Sequence, residues 1–282
     1  MISLKTKNRR RESRKKKRLK SIRRKYIRYS LFAIACYFSF LLWTLPASIV
    51  VSFIQSNPQL NKQIQLTSVS GTVWSGNVIS THIAGVNLGQ LKWELKVLPL
   101  FIGKLNLHIT FNNKSVPSNR LSGNGNVSIS SSGELHVEDF SAFVNVDTLA
   151  PFMYGLPARF SGDLNFHINE LSLIKGKVIN LKSRIVVSKA GLVSPQRIEY
   201  GDILIQSSPK LTGSQITLRD QGGPLILDGN IKLKGNGVYN VNLGMGARNS
   251  ASDDLRNGLR FLGQRDATGK YHYKTNGKLT NW

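Results

Sequence analysis

The side chains best suited to ligate a metal or to serve as a nucleophile or base are His82, His108, His136, His167, His272 and the lone Cys36. Zinc sites assembled from such residues usually carry pairs at close spacing, as in C-x2–4-C or H-x3–5-H. No two of these residues stand that close, and no cysteine lies beyond residue 36. Two carboxylate pairs are adjacent, Glu138-Asp139 and Asp253-Asp254. The first sits in a strand-like stretch, where neighbours point to opposite faces. The second suits the first turn of a helix, where acids favour the dipole. Gly222-Gly223 precedes Pro224 and a strand pattern, so it reads as a turn and not as a phosphate cradle. No G-x-S-x-G elbow, phosphate loop or H-E-x-x-H helix is present. The expectation is a non-enzymatic chain with no catalytic residue, no cofactor and no metal.

The elements carrying these residues are mostly strands. Apolar residues alternate at Leu91, Trp93, Leu95, Val97; at Leu105, Leu107, Ile109, Phe111; at Leu164, Phe166, Ile168; and at Ile179, Leu181, Ile185, Val187. The same period recurs at Leu225, Leu227, Ile231, Leu233 and at Tyr239, Val241, Leu243, Met245. Period-2 alternation means one apolar and one polar face. Ser122-Gly123-Asn124-Gly125, Ser131-Ser132-Gly133 and Gly235-Asn236-Gly237 read as the turns between strands. The phase slips from Leu135 and Val137 to Phe140, Ala142, Val144 and Val146, which predicts a β-bulge near Glu138-Asp139.

Two short helices are expected. One covers residues 147–155. The other is capped by Ser250 with Asp253, carries Leu255, Leu259 and Leu262 on one face, and stops at Gly263. Residues 121–130 resemble 160–169, and Leu227-Asp-Gly-Asn-Ile231 echoes both, consistent with a repeated hairpin unit or with the likeness of all meander strands. The fold class is all-β: an antiparallel domain, either a curved open sheet (half-barrel) or a sandwich.

Ahead of these strands, no charged residue occurs from Tyr29 to Asn61. Residues 31–51 have the length of a membrane-crossing helix, about 20 residues. Eleven of them are Leu, Ile, Phe or Val, a gross insertion term of about −3 to −6 kcal/mol. The net charge is +24, and residues 1–30 hold fifteen Lys and Arg against Glu12 alone. By the positive-inside rule that tail is cytoplasmic and the β domain periplasmic. Beside a membrane helix, the run Arg14–Arg18 suits orientation and anionic headgroups rather than nucleic acid. The expected organisation is a basic cytoplasmic tail (1–28), one transmembrane helix (29–54), a spacer (55–63) and a periplasmic β domain (64–282).

Val69-Ser-Gly-Thr-Val-Trp-Ser-Gly76, then Leu91-Lys-Trp93-Glu-Leu95 and Leu98-Pro-Leu-Phe-Ile-Gly103, followed by Gly155-Leu-Pro157, Gln221-Gly-Gly-Pro-Leu225 and Leu262-Gly-Gln-Arg-Asp-Ala-Thr-Gly269, resemble the type II secretion system protein N family. The likeness runs from the membrane helix almost to Trp282. One departure is Val186-Val187, where a tryptophan before Ala190 is expected. The resemblance implies an accessory or scaffold subunit of the inner membrane that supports export of folded proteins across the outer membrane. Other secretion subunits and membrane phospholipids would be its partners, nucleic acid would not, and the family brings no catalytic residues. The family resembles, more distantly, the AsmA-related envelope proteins, whose curved sheets form apolar channels for lipid. That likeness implies, as an alternative, a lipid-handling groove. From the residues alone, Trp74 and Trp93 are expected to anchor the start of the sheet core.

Overall fold

The computed structural model describes residues 29–278, apart from 114–119, 154, 156, 175–176 and 211–212. The expected tail, 1–28, and Trp282 lie outside the described residues. The chain divides into two compact units, Met1–Pro46 and Ala47–Trp282.

In the first unit, residues 29–43 form a helix, α1. Its apolar side chains are exposed, among them Leu31, Phe32, Phe38, Phe40 and Trp43. The expected single helix over 29–54 is not formed. The chain leaves helical conformation at 44–47 and re-enters it as α2 (Ser48–Ser56). Pro46 accounts for the break. It has no N–H to continue the ladder, its ring clashes with the carbonyl four residues back, and it disfavours helical geometry at Leu45. Among the described residues no helix is long and apolar enough to cross a membrane. The expected spacer is also helical in part, as α3 (Pro58–Gln63), with the Asn57 side chain accepting the Gln59 N–H at 3.1 Å.

The second unit is built on one antiparallel sheet. Among the described residues thirteen strands lie in strict sequence order, each paired with the next. They are β1 (Ile64–Gly71), β2 (Ser75–Ile83), β3 (Val86–Lys96), β4 (Lys104–Asn113), β5 (Leu121–Ser130), β6 (Glu134–Asn145) and β7 (Arg159–Ile174). There follow β8 (Lys177–Ser194), β9 (Ile198–Lys210), β10 (Gly213–Asp220), β11 (Leu225–Lys234), β12 (Val238–Ala247) and β13 (Tyr271–Lys278). The sheet is open, with β1 and β13 as its edges, so of the two expected architectures the single open sheet is the one found. The predicted bulge is present. Asn124 pairs with Ser141 but Asn126 with Glu138, and Asp139 takes a positive φ of 48°. Gly123 and Gly125, read from the sequence as a turn, lie instead inside β5.

Because the strands run up and down, the sheet has two ends. At one, which we term the entry end, the Ala47 N–H donates to Gly71 O at 3.0 Å, so the chain joins the sheet there. The β1–β2, β3–β4 and β5–β6 turns share this end, and the last two are tied by the Ser131 N–H donating to Gly103 O at 2.9 Å. The distal end carries two helical plugs. One is a 3-10 helix, Val146–Phe152, capped by the Asn145 side chain. The other is α4 (Asp253–Arg260). The cap of α4 is Ser252, whose side chain accepts the Leu255 N–H at 3.2 Å, not Ser250 as the spacing suggested. Leu255 and Leu259 are buried as expected, and they pack with Ile198, Leu225, Leu227 and Tyr271.

Candidate functional site: an apolar face running across the sheet

Strand register assembles the alternating residues into a row no single strand displays. Val69 pairs with Val78, Val78 with Leu91, Leu91 with Phe111 and Phe111 with Gly123. The row continues through Ala142, Phe166, Ile185, Ile205, Leu218, Gly229 and Leu243 to Tyr273. All thirteen members are apolar residues or glycine. Twelve strand spacings of about 4.8 Å make the row roughly 58 Å long.

The phase slips that look like irregularities keep this face continuous. A residue added in β6 at Asp139 is matched in β7, so that Val137–Leu171 and Phe140–Ile168 both remain paired. On β8 the register shift between Ile168 and Glu170 absorbs the difference, and Leu171 meets Leu181. A slip without that compensation would turn half of each strand inside out.

Burial along this face falls from the distal end to the entry end. Near the distal end, Val86, Leu121, Val144, Ile198 and Leu225 are buried under the helical plugs, with Leu121 at 5% and Val144 at 7% exposure. Near the entry end, the paired Leu105 and Ile129 are 40% and 42% exposed. At the β1 side, α2 lays Val50, Val51 and Ile54 over β1–β4 and borders a half-open cavity of ≈ 360 Å³. Its lining from the sheet includes Leu66, Val78, Leu91, Trp93, Leu107 and Ile109. Thr81 also lines it, fully buried, and its hydroxyl has no protein hydrogen-bond partner.

The motifs carrying the sequence resemblance hold this face together. Gly76 pairs directly with Trp93, and a Cβ on Gly76 would stand 2.1 Å from the indole Cζ2, so the ring lies across the glycine. The Trp93 Nε1–H donates to Val73 O at 3.0 Å, fixing the ring to the β1–β2 turn. Trp74 is a half-buried residue of that turn and does not line the cavity, so Trp93 is the anchor of the pair. Phe111 over Gly123, Phe140 over Gly125 and Tyr239 over Gly277 repeat the arrangement. A bare glycine gives the aromatic a flat seat, and the ring covers the backbone that the glycine would expose.

The Gln221–Leu225 motif is a turn pressed against Gly201, where a Cβ would meet Gly222 O at 2.7 Å. Asp220 accepts the Gly222 and Leu227 N–H groups and the Arg248 guanidinium, while Arg248 Nη1 donates to Gly223 O and Leu225 O, both at 2.8 Å. Partial burial pushes the Asp220 carboxyl up, but these donors outweigh it and hold the group below the usual carboxylate range. In the 262–269 motif, Asp266 accepts from the Thr268 hydroxyl and N–H and from the Lys270 N–H, and pairs with His272 at 2.7 Å. These partners, the Thr268 hydroxyl foremost, hold its carboxyl far below the usual range.

The histidines are scattered over the sheet. His108 meets Asn126 at 3.0 Å, His136 meets Ser172 at 3.0 Å, and His167 meets Ser141 at 2.9 Å. Each is a cross-strand polar pair. Among the described residues no three His, Cys, Asp or Glu side chains are grouped to hold a metal. Cys36 is exposed on α1. Asp139 is the bulged residue with Glu138 just before it, and Asp253 and Asp254 open α4.

The profile of type II secretion system (T2SS), protein N matches residues 62–274, from the last turn of α3 to the middle of β13. The chain belongs to the type II secretion system protein N family. Type II secretion system protein N of Aeromonas hydrophila is 25% identical over 266 residues, covering 92% of this chain and 100% of the relative. Type II secretion system protein N of Vibrio cholerae serotype O1 is 23% identical over 241 residues, covering 83% of this chain and 91% of the relative. No solved structure matches the chain significantly. Membership of the protein N family makes this chain a secretion-system component. Within those motifs, Gly71, Gly76 and Gly223 are points of close backbone or ring approach.

Proposed function

We propose that this protein is a non-catalytic accessory subunit of the type II secretion machinery, held at the inner membrane with its sheet in the periplasm. It would scaffold other subunits during export of folded proteins. The observation that supports this most is the match to protein N from β1 to the middle of β13. The N-terminal sequence supports the membrane location: fifteen basic residues precede a stretch without charge, and the apolar side chains of α1 are exposed. In this reading residues 1–28 are cytoplasmic and 29–46 are the membrane-embedded anchor. Deletion of the gene in the native host should impair secretion of the system's exoproteins, and tagged protein should co-purify with other secretion subunits. Normal secretion without co-purification would reject the proposal. A periplasm-dependent reporter fused after Trp282 should be active, and activity only of a cytoplasmic reporter would reject the orientation.

A second reading has its own support: the apolar row, open towards the entry end and closed at the distal end, suits acyl chains. Apolar sheet faces need cover from helices, another sheet or lipid, and α2, α4 and the 3-10 helix cover only part of this one. Native mass spectrometry of the full chain released from nanodiscs should then retain phospholipid adducts. A chain that emerges free of lipid would remove this reading and leave the scaffold role standing.

A further inference from the structure

The two ends of the sheet differ in charge, and the entry end carries a cluster of exposed apolar side chains between lysines. Between β3 and β4 the 3-10 turn Leu98–Ile102 stands at the entry end, with Leu98 82%, Phe101 83% and Ile102 72% exposed. Lys96 and Lys104, both exposed, flank it as the last residue of β3 and the first of β4. Exposed Lys210, Lys234 and Lys278 close β9, β11 and β13 at the same end. Among the described residues, the acids within three residues of a strand terminus at that end are Glu94 and Glu134. The distal end is mixed, with Arg159 paired to Asp147 and Arg248 to Asp220. An apolar turn between lysines, on a rim of lysines, has the composition of a surface that inserts into the headgroup region. The lysine stems run along the apolar layer and the ammonium groups meet lipid phosphates.

We infer that the entry end of the sheet docks on an anionic phospholipid bilayer, with Leu98, Phe101 and Ile102 inserted and the strand-end lysines on the headgroups. A bilayer is the occupant because the chain enters the sheet at this same end, at Ala47, directly after residues 29–46 of the uncharged stretch. The inference rests on the reading of that stretch as the membrane anchor, and it adds an orientation: the rim with the open apolar face lies at the membrane and the plugged end points away.

The test uses the full chain in a Cys36→Ser background, reconstituted in vesicles of phosphatidylcholine with or without phosphatidylglycerol. An environment-sensitive fluorophore is placed at Phe101→Cys, or at Phe261→Cys as control, since Phe261 is 92% exposed just beyond α4 at the distal end. In anionic vesicles the Phe101 probe should shift to the blue and be quenched by lipids spin-labelled near the headgroup, while the Phe261 probe stays aqueous. Replacing Lys96, Lys104, Lys210, Lys234 and Lys278 by Gln should abolish the difference between anionic and neutral vesicles. Flotation on a density gradient reports the anchor separately. A chain that floats with vesicles yet leaves the Phe101 probe in water overturns the docking and spares the anchor. A chain that does not float overturns both. A Phe101 probe shielded only when other secretion subunits are added assigns the turn to a protein contact and overturns the inference.

Discussion

Gly76 and Trp93 offer the sharpest test of how the family motif works. Gly76 has ordinary extended backbone, so its small size and not its conformational freedom is what the site requires. In Gly76→Ala the new methyl would overlap Cζ2, Cη2 and Cε2 of the indole, at 2.1, 2.4 and 2.7 Å. The ring must leave its seat. It then loses the bond to Val73 O, worth about 1 kcal/mol. It also gives up the packing of a half-buried tryptophan, about half of the 3–5 kcal/mol that full truncation costs. The expected loss is about 3 kcal/mol, or about 1 M in the urea midpoint for an m-value near 3 kcal/mol/M. Without the indole the sign reverses, because a strand glycine is normally about 0.5–1 kcal/mol worse than alanine. Urea unfolding of the full chain in mild detergent, followed by far-ultraviolet circular dichroism, gives the four midpoints of the cycle with Trp93→Ala. Equal costs of Gly76→Ala in the two backgrounds would refute the clamp.

Three further outcomes follow from the geometry. Thr81→Val should stabilise the chain by about 1 kcal/mol, because it removes a buried hydroxyl with no protein partner; a clear loss in the same unfolding assay would mean that a water or a ligand satisfies that hydroxyl. The Asp220 carboxyl is held below its unfolded value, so its contribution is present above about pH 4 and is lost as pH falls through the lower folded pKa. Asp220→Asn should therefore flatten the acid side of the stability–pH curve while lowering stability at pH 7, and an unchanged acid limb would dismiss the Asp220–Arg248 turn as a stabilising unit. Trp74→Ala should cost about 1–2 kcal/mol, less than Trp93→Ala, because Trp74 lies on the turn outside the apolar cavity; equal losses would place both indoles in the core.

What the sequence showed and what it hid divide along physical lines. The strands with strict alternation, such as Leu225–Leu233 in β11 and Tyr239–Met245 in β12, are legible because a half-buried strand writes its burial directly into its pattern. The bulge at Asp139 was legible as a slip of that pattern. Gly123 and Gly125 were not, because the rings that require them, Phe111 and Phe140, come from other strands and only register brings them there. β1 and β13 are edge strands, IQLTSVSG and YHYKTNGK, with a weak or polar pattern. The helices α2 and α3 were absorbed into a longer expected membrane helix and spacer, since an apolar run alone does not distinguish bilayer from sheet as the surface it covers. Pro46 was the residue that decided it. The apolar row itself is a property of twelve pairings, which no single segment contains.

The two ends of the sheet solve the same problem in different ways. Thirteen strands with one apolar face expose far more hydrophobic surface than three short helices can cover, and large exposed apolar patches mark a surface meant for a partner. At the distal end the chain supplies the cover itself: Leu149 packs on Val86, Phe111, Leu121 and Val144, and Leu255 and Leu259 pack on Ile198 and Leu225. Two arginines of that rim, Arg159 and Arg248, are matched with carboxylates. At the entry end its cover stops at α2 over β1–β4, and five strand-end lysines and an apolar turn stand against two acids, Glu94 and Glu134. The β13 edge carries Lys274 and Lys278, charges that discourage pairing with another strand, and β1 packs with α2 and α3. Protection at the edges together with exposure at the entry end points to end-on contact with an apolar, anionic surface rather than to edge-to-edge assembly of sheets.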